Sequence, residues 1–104
     1  MQKYIVKLST KAKRDFKSAI NYIKNELIEP AIAIKYSKLI KEKLDSLEYS
    51  PERFGIIDSE LIKDKSYRKL VIKNYIAFYR IDNKRNIVHI VRGFHGSMDW
   101  ENLL

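Results

Sequence analysis

Three consecutive runs decide the fold: Tyr67-Arg68-Lys69-Leu70-Val71-Ile72-Lys73, Tyr75-Ile76-Ala77-Phe78-Tyr79-Arg80-Ile81, and Ile87-Val88-His89-Ile90-Val91-Arg92-Gly93-Phe94. Each is rich in β-branched and aromatic residues and has the length of a strand. Lys73-Asn74 makes a tight turn between the first two, with Asn74 suited to a positive φ. The polar stretch Asp82-Asn83-Lys84-Arg85-Asn86 has hairpin length between the second and third. Short connections of this kind predict an antiparallel three-stranded meander.

Working outward, residues 2–8 read as a further strand, with Tyr4, Val6 and Leu8 alternating against Lys3, Ile5 and Lys7. Ser9 and Thr10 are N-cap candidates for a helix whose stripe is Ala12, Phe16, Ala19, Ile20, Ile23 and Leu27. Pro30 suits the first turn of a second helix carrying Ile32, Tyr36, Leu39, Ile40, Leu44 and Leu47. A link this short folds the two back as an αα-hairpin. Residues 56–66 are aperiodic and acidic and read as a loop, and Ser97–Leu104 as one helical turn folded onto the body.

The prediction is therefore an α+β fold. Residues 1–104 form one domain: an N-terminal strand, a two-helix antiparallel hairpin and the meander, with both helices on one face of a four-stranded sheet. No apolar run reaches the roughly 20 residues of a membrane span, and the lysine-interrupted N-terminus lacks a signal-peptide core, so a cytoplasmic protein with no membrane partner is expected. The absence of cysteine excludes disulfides and thiolate chemistry. With two histidines and isolated glycines at 55, 93 and 96, neither a metal, a cofactor nor a phosphate loop is expected.

The formal charge is +8 and unevenly placed. Residues 1–47 hold 11 basic and 5 acidic side chains, residues 48–66 hold 3 and 5, and residues 67–104 hold 7 and 3. This favours a polyanionic partner, nucleic acid or an acidic protein, although a lysine-rich solvated surface gives the same composition.

Strand alternation puts Arg68 with Leu70 and Ile72, Arg80 with Ile76 and Phe78, and Arg92 with Val88, Ile90 and Phe94. A buried unpaired arginine costs several kcal/mol, so each sits at a rim or pairs, with Asp82, Asp99 and Glu101 as candidate partners. The alternative is an anion-binding groove. His95, between Phe94 and Gly96, suits proton transfer in RNA cleavage or a turn-stabilising hydrogen bond. His89 reads as a packed or edge residue. Trp100 reads as a plug on the sheet edge or a platform for a base.

The segments Tyr67-Arg68-x-Leu70, Asn74-Tyr75, Phe78-Tyr79-Arg80-Ile81, Ile90-Val91-Arg92 and His95-Gly96-x-x-Asp99-Trp100 together resemble the RelE/ParE family of type II toxin–antitoxin toxins. The resemblance spans nearly the whole chain and implies a toxin neutralised by a cognate antitoxin through an acidic or amphipathic segment. RelE-like members are ribosome-dependent mRNA endonucleases that need no metal, and that reading makes Arg68, Arg80, Arg92, His95 and Trp100 the catalytic set. ParE-like members inhibit DNA gyrase without a known catalytic centre. Ile76 and Leu70 stand where RelE-like enzymes often carry arginine and lysine, and Ser97-Met98 follows His-Gly where basic residues are common. The resemblance therefore leans to the ParE-like branch. The ribosome with its mRNA is the alternative target, and a non-toxic nucleic-acid-binding domain is a third reading.

Overall fold

The computed structural model describes residues 2–62 and 66–104, so residues 63–65 of the expected 56–66 loop lie outside the described residues. Strand β1 (Ile5–Leu8) leads into α1 (Thr10–Asn21), which continues as a π-helical turn over Tyr22–Glu26. Helix α2 (Pro30–Asp45) runs back, with Pro30 in its first turn, and ends in short 3₁₀ turns at Ser46–Glu48 and Pro51–Arg53. Strands β2 (Arg68–Ile72), β3 (Tyr75–Asp82) and β4 (Ile87–His95) follow, then α3 (Trp100–Leu103). The expected α+β architecture is present. Among the described residues no helix is long and apolar enough to cross a membrane.

The sheet order is β1-β4-β3-β2. β1 pairs parallel with β4, from Ile5 opposite Ile87 to Leu8 opposite Ile90, and the meander supplies the antiparallel pairs. The helical hairpin carries the chain from one edge of the sheet to the other and packs on one face. Phe16, Ile40, Leu44, Leu70, Tyr79 and Ile90 lie in the core between those layers. At 25 cal/mol per Å² of apolar area, a fully buried side chain of this size contributes about 1.5–3 kcal/mol. The sequence reading left the opposite face open. The structure covers it with a second core of Ile57, Ile62, Ile76, Phe78 and Phe94, capped by Tyr67, Trp100 and Leu104.

Strict alternation fails in β4. A bulge lies where Phe78 pairs with Arg92 while the next residue, Tyr79, pairs with Ile90, leaving Val91 as the extra residue. An extra residue inverts every side chain beyond it. Val88 and Ile90 therefore join the helix-side core, whereas Phe94 belongs to the opposite one. A second correction concerns the Lys73-Asn74 turn, where the positive φ falls on Lys73 (55°). Asn74 is held otherwise: its N–H donates to Tyr36 Oη at 3.2 Å, and its carbonyl accepts from Gly96 N at 2.7 Å.

Candidate functional site

The site forms where β1 stops and β4 continues. Ser9 caps α1, its Oγ accepting from Ala12 N at 3.0 Å, and the same hydroxyl donates to the bulged Val91 carbonyl at 2.7 Å. One oxygen thus starts the helix and satisfies the bulge, which sets α1 beside the end of β4 that runs past β1 while still paired with β3. Asp15 then faces Arg92. Arg92 Nε donates to Oδ2 at 2.8 Å and Nη2 to Oδ1 at 3.1 Å, a bidentate pair, and Gly93 N donates to the same Oδ2 at 2.9 Å. The guanidinium also lies 4.4 Å from the Phe94 ring centroid. Hydrogen bonding to Asp15 pushes the Arg92 pKa up, against the opposing effect of burial. Gly93 is required here, because a Cβ would lie under 3.0 Å from three ring carbons of Phe16.

Beyond β4 the chain turns sharply. Ser97 N donates to His95 Nδ1 at 3.1 Å, and Ser97 Oγ stands 2.7 Å from the same atom. A nitrogen that accepts a backbone N–H carries no proton, so the neutral ring holds its proton on Nε2. Tyr75 packs edge-on against His95 (5.2 Å) and against Tyr36 (6.0 Å). Burial, followed by the neighbouring phenols Tyr36 and Tyr22, raises the Tyr75 pKa, which keeps its hydroxyl protonated.

These residues border a trough in two parts. A cleft of about 380 Å³ is lined by Asp15, Ser18, Tyr22, Arg92, His95 and Met98, among others. A more apolar one of about 210 Å³ is lined by Tyr22, Leu27, Ile32, Tyr36 and Tyr75. Tyr22, Tyr75 and His95 border both, so the trough is continuous from Arg92 to the hairpin tip. At that tip Ile28 is 79% exposed with φ of 52°. A β-branched residue in the left-handed region is strained by about 1–3 kcal/mol, and here the strain holds an apolar side chain out in water.

The five sequence-chosen residues do not converge. Arg92 and His95 share the larger cleft. Arg68 Nη1 donates to the Glu52 carbonyl at 3.1 Å and the Phe54 carbonyl at 2.5 Å, fastening the Pro51–Arg53 turn to β2. Arg80 lies over the Tyr67 ring at 5.4 Å and opposite His89, on the far part of the sheet. Trp100 packs on Phe78 at 5.2 Å with Lys69 Nζ 5.4 Å from its ring, so it is a plug on the second core. The expected acidic partners are occupied differently. Asp82 caps its own turn through Lys84 N and Arg85 N, Asp99 accepts from Asn102, and Glu101 meets Ser59. Asp15, missed in the sequence, was the only acid among the first 25 residues, and that isolation was the available signal. Among the described residues no cluster of His, Cys, Asp or Glu could hold a metal ion.

Chemically the trough is aromatic, with Arg92 its only Lys or Arg among the described residues, and that charge is already offset by Asp15. Such a surface suits an apolar or aromatic side chain flanked by a polar group.

Comparison with known proteins defines the class. Residues 6–100 match the family described as ParE toxin of type II toxin-antitoxin system, parDE, and the chain belongs to that family. Its fold is similar to a chain of the chromosomal ParDE toxin–antitoxin system from P. aeruginosa, at TM-score 0.73 and 21% identity, covering 91% of this chain and 98% of that one. It is also similar to a chain of the RelBE2 toxin–antitoxin complex from Mycobacterium tuberculosis (TM-score 0.62, 23% identity, 89% and 98% covered). A third relative in fold comes from the archaeal RelE–RelB complex of Pyrococcus horikoshii (TM-score 0.60, 21% identity, 93% and 98% covered). No curated protein matches the sequence.

Proposed function

We propose that this ParE-family chain is a toxin that acts by binding its target, DNA gyrase, and that a cognate antitoxin neutralises it by laying an amphipathic segment in the trough. The observation that carries the binding reading is the dispersal of the five nuclease candidates: Arg68, Arg80 and Trp100 stand away from the cleft that Arg92 and His95 share, and Arg92 is tied to Asp15. Phosphodiester cleavage without metal needs positioned cations on the developing charge, and loss of one such donor costs on the order of 10²–10³ in rate. The antitoxin part draws support from the trough's exposed apolar lining, including Tyr22, Leu27 and Ile32, since a contiguous patch of this kind marks a protein contact. The similar folds from toxin–antitoxin complexes support it as well.

The test is induction of the chain alone in a bacterial host, with DNA synthesis and protein synthesis followed by pulse labelling. A gyrase poison induces the DNA-damage response and stops replication while translation continues at first. Immediate arrest of translation with cut messages, abolished by Arg92→Ala and His95→Ala, supports the RelE-like nuclease instead. Absence of any growth defect removes both toxin readings.

A further inference from the structure

Helices α1 and α2 together carry eight Lys or Arg and three Asp or Glu. Of those acids, Asp15 is tied to Arg92 and Asp45 to Lys41, which leaves Glu42. The flank of α1 opposite the trough presents Lys13 and Lys17, one turn apart, with Arg14 three residues before Lys17. Lys38 follows Ser37, which edges the interhelical groove, on the exposed side of α2. All four are exposed, and none is in an ion pair among the described residues. The groove between the helices has a volume of about 260 Å³, floored by Phe16, Ile20 and Ile40 and edged by Lys17, Asn21 and Ser37.

We infer that this solvent face of the helical hairpin binds the phosphate backbone of a nucleic acid without sequence preference. The charges are close together: Lys13 and Lys17 lie about 6 Å apart along the helix, and Lys38 belongs to an axis about 8–10 Å away. Duplex DNA carries one negative charge per roughly 1.7 Å of its axis, so several phosphates fall within that span. Asn21 and Ser37 add neutral donors of the kind that contact phosphate oxygens. An acidic protein is the poorer fit, because a protein contact depends on anchors buried in a pocket. This groove's apolar floor is a narrow line between lysines, whereas the trough on the other flank of α1 has the aromatic walls such anchors need. The face is separate from the trough, so the inference stands independently of the toxin reading.

The experiment is fluorescence anisotropy of two unrelated fluorescein-labelled 20-base-pair DNA duplexes with the purified chain, between 50 and 200 mM salt. Contacts from Lys13, Arg14, Lys17 and Lys38 give a log–log salt slope of about −3.6, which is a loss of affinity of about 150-fold over that range. Lys13→Ala/Lys17→Ala/Lys38→Ala reduces the slope to about −0.9. The charge-matched variant Lys7→Ala/Lys84→Ala/Arg85→Ala leaves the slope within one unit of the parent, and both duplexes bind within twofold. Circular dichroism melting of each variant confirms that it is folded. Equal losses in the two triple variants overturn the assignment to this face. Failure of the parent to bind DNA at 50 mM salt overturns it, and so does tighter binding of polyglutamate of equal charge than of the duplexes.

Discussion

Gly93 and Tyr79 show how single residues fix the site. At Gly93 β4 comes so close to α1 that hydrogen replaces what any other side chain would push into the Phe16 ring. Gly93→Ala should destabilise by about 1–3 kcal/mol, because the buried Phe16 ring must shift to admit the added methyl. Denaturant melts of a double-mutant cycle with Phe16→Leu should recover most of that loss, and additive losses would contradict the contact. Tyr79 is fully buried and donates to the Pro51 carbonyl at 2.6 Å. Burial raises its pKa from 10.0 to about 12 despite the nearby Arg68 and Arg53. Folding holds this proton more tightly than the unfolded chain does. The associated stability is therefore intact below about pH 10 and declines as pH rises through about 12, at up to about 1.4 kcal/mol per pH unit. Absorbance titration near 295 nm should show a late tyrosine step near pH 12, and Tyr79→Phe should remove it.

At the scale of elements, the bulge at Val91 and the tip of the helical hairpin shape the trough. Ser9→Ala removes both the α1 cap and the donor to the Val91 carbonyl, for an expected loss of about 1–2 kcal/mol by denaturant melting. Ile28→Gly relieves left-handed strain and should stabilise by about 1 kcal/mol, and on the proposed reading it should also weaken antitoxin binding. A variant that gains stability and loses binding separates the functional role of Ile28 from a structural one. The strands, both long helices and the Ser9 cap were legible in the sequence, because apolar periodicity and cap chemistry are local signals. That Leu70 shares a face with Ile72, and Ala77 with Tyr79, was legible for the same reason, while which face the helices cover came only from the structure. The bulge was not: Val91 is as good a strand residue as its neighbours, and only the three-dimensional register shows it to be extra. Asp15–Arg92 spans 77 positions, and Tyr22, Tyr36 and Tyr75 come from the π-helical turn, α2 and β3, so pattern along the chain could not assemble them.

The molecule as a whole is a slab of about 43 × 33 × 21 Å, with a large core under the helices and a smaller one under α3 and the loop after α2. Burying both sheet faces occupies Trp100, Phe78 and Arg68 in structure. Of the exposed apolar residues, Tyr22, Leu27, Ile28, Ile32 and Met98 gather at the end where α1, β4 and the hairpin tip meet. The chain's positive charge lies chiefly on the helices and the meander, not in that trough. The proposed recognition of a protein partner through shape and apolar contact belongs to that end of the molecule. The most direct measurement incubates the purified chain, in parallel, with gyrase on supercoiled plasmid and with a reconstituted translation system programmed with a defined mRNA. Binding without catalysis predicts accumulation of cleaved gyrase–DNA complexes and an intact message. Message cut at the ribosomal A site, with gyrase unaffected, would contradict it.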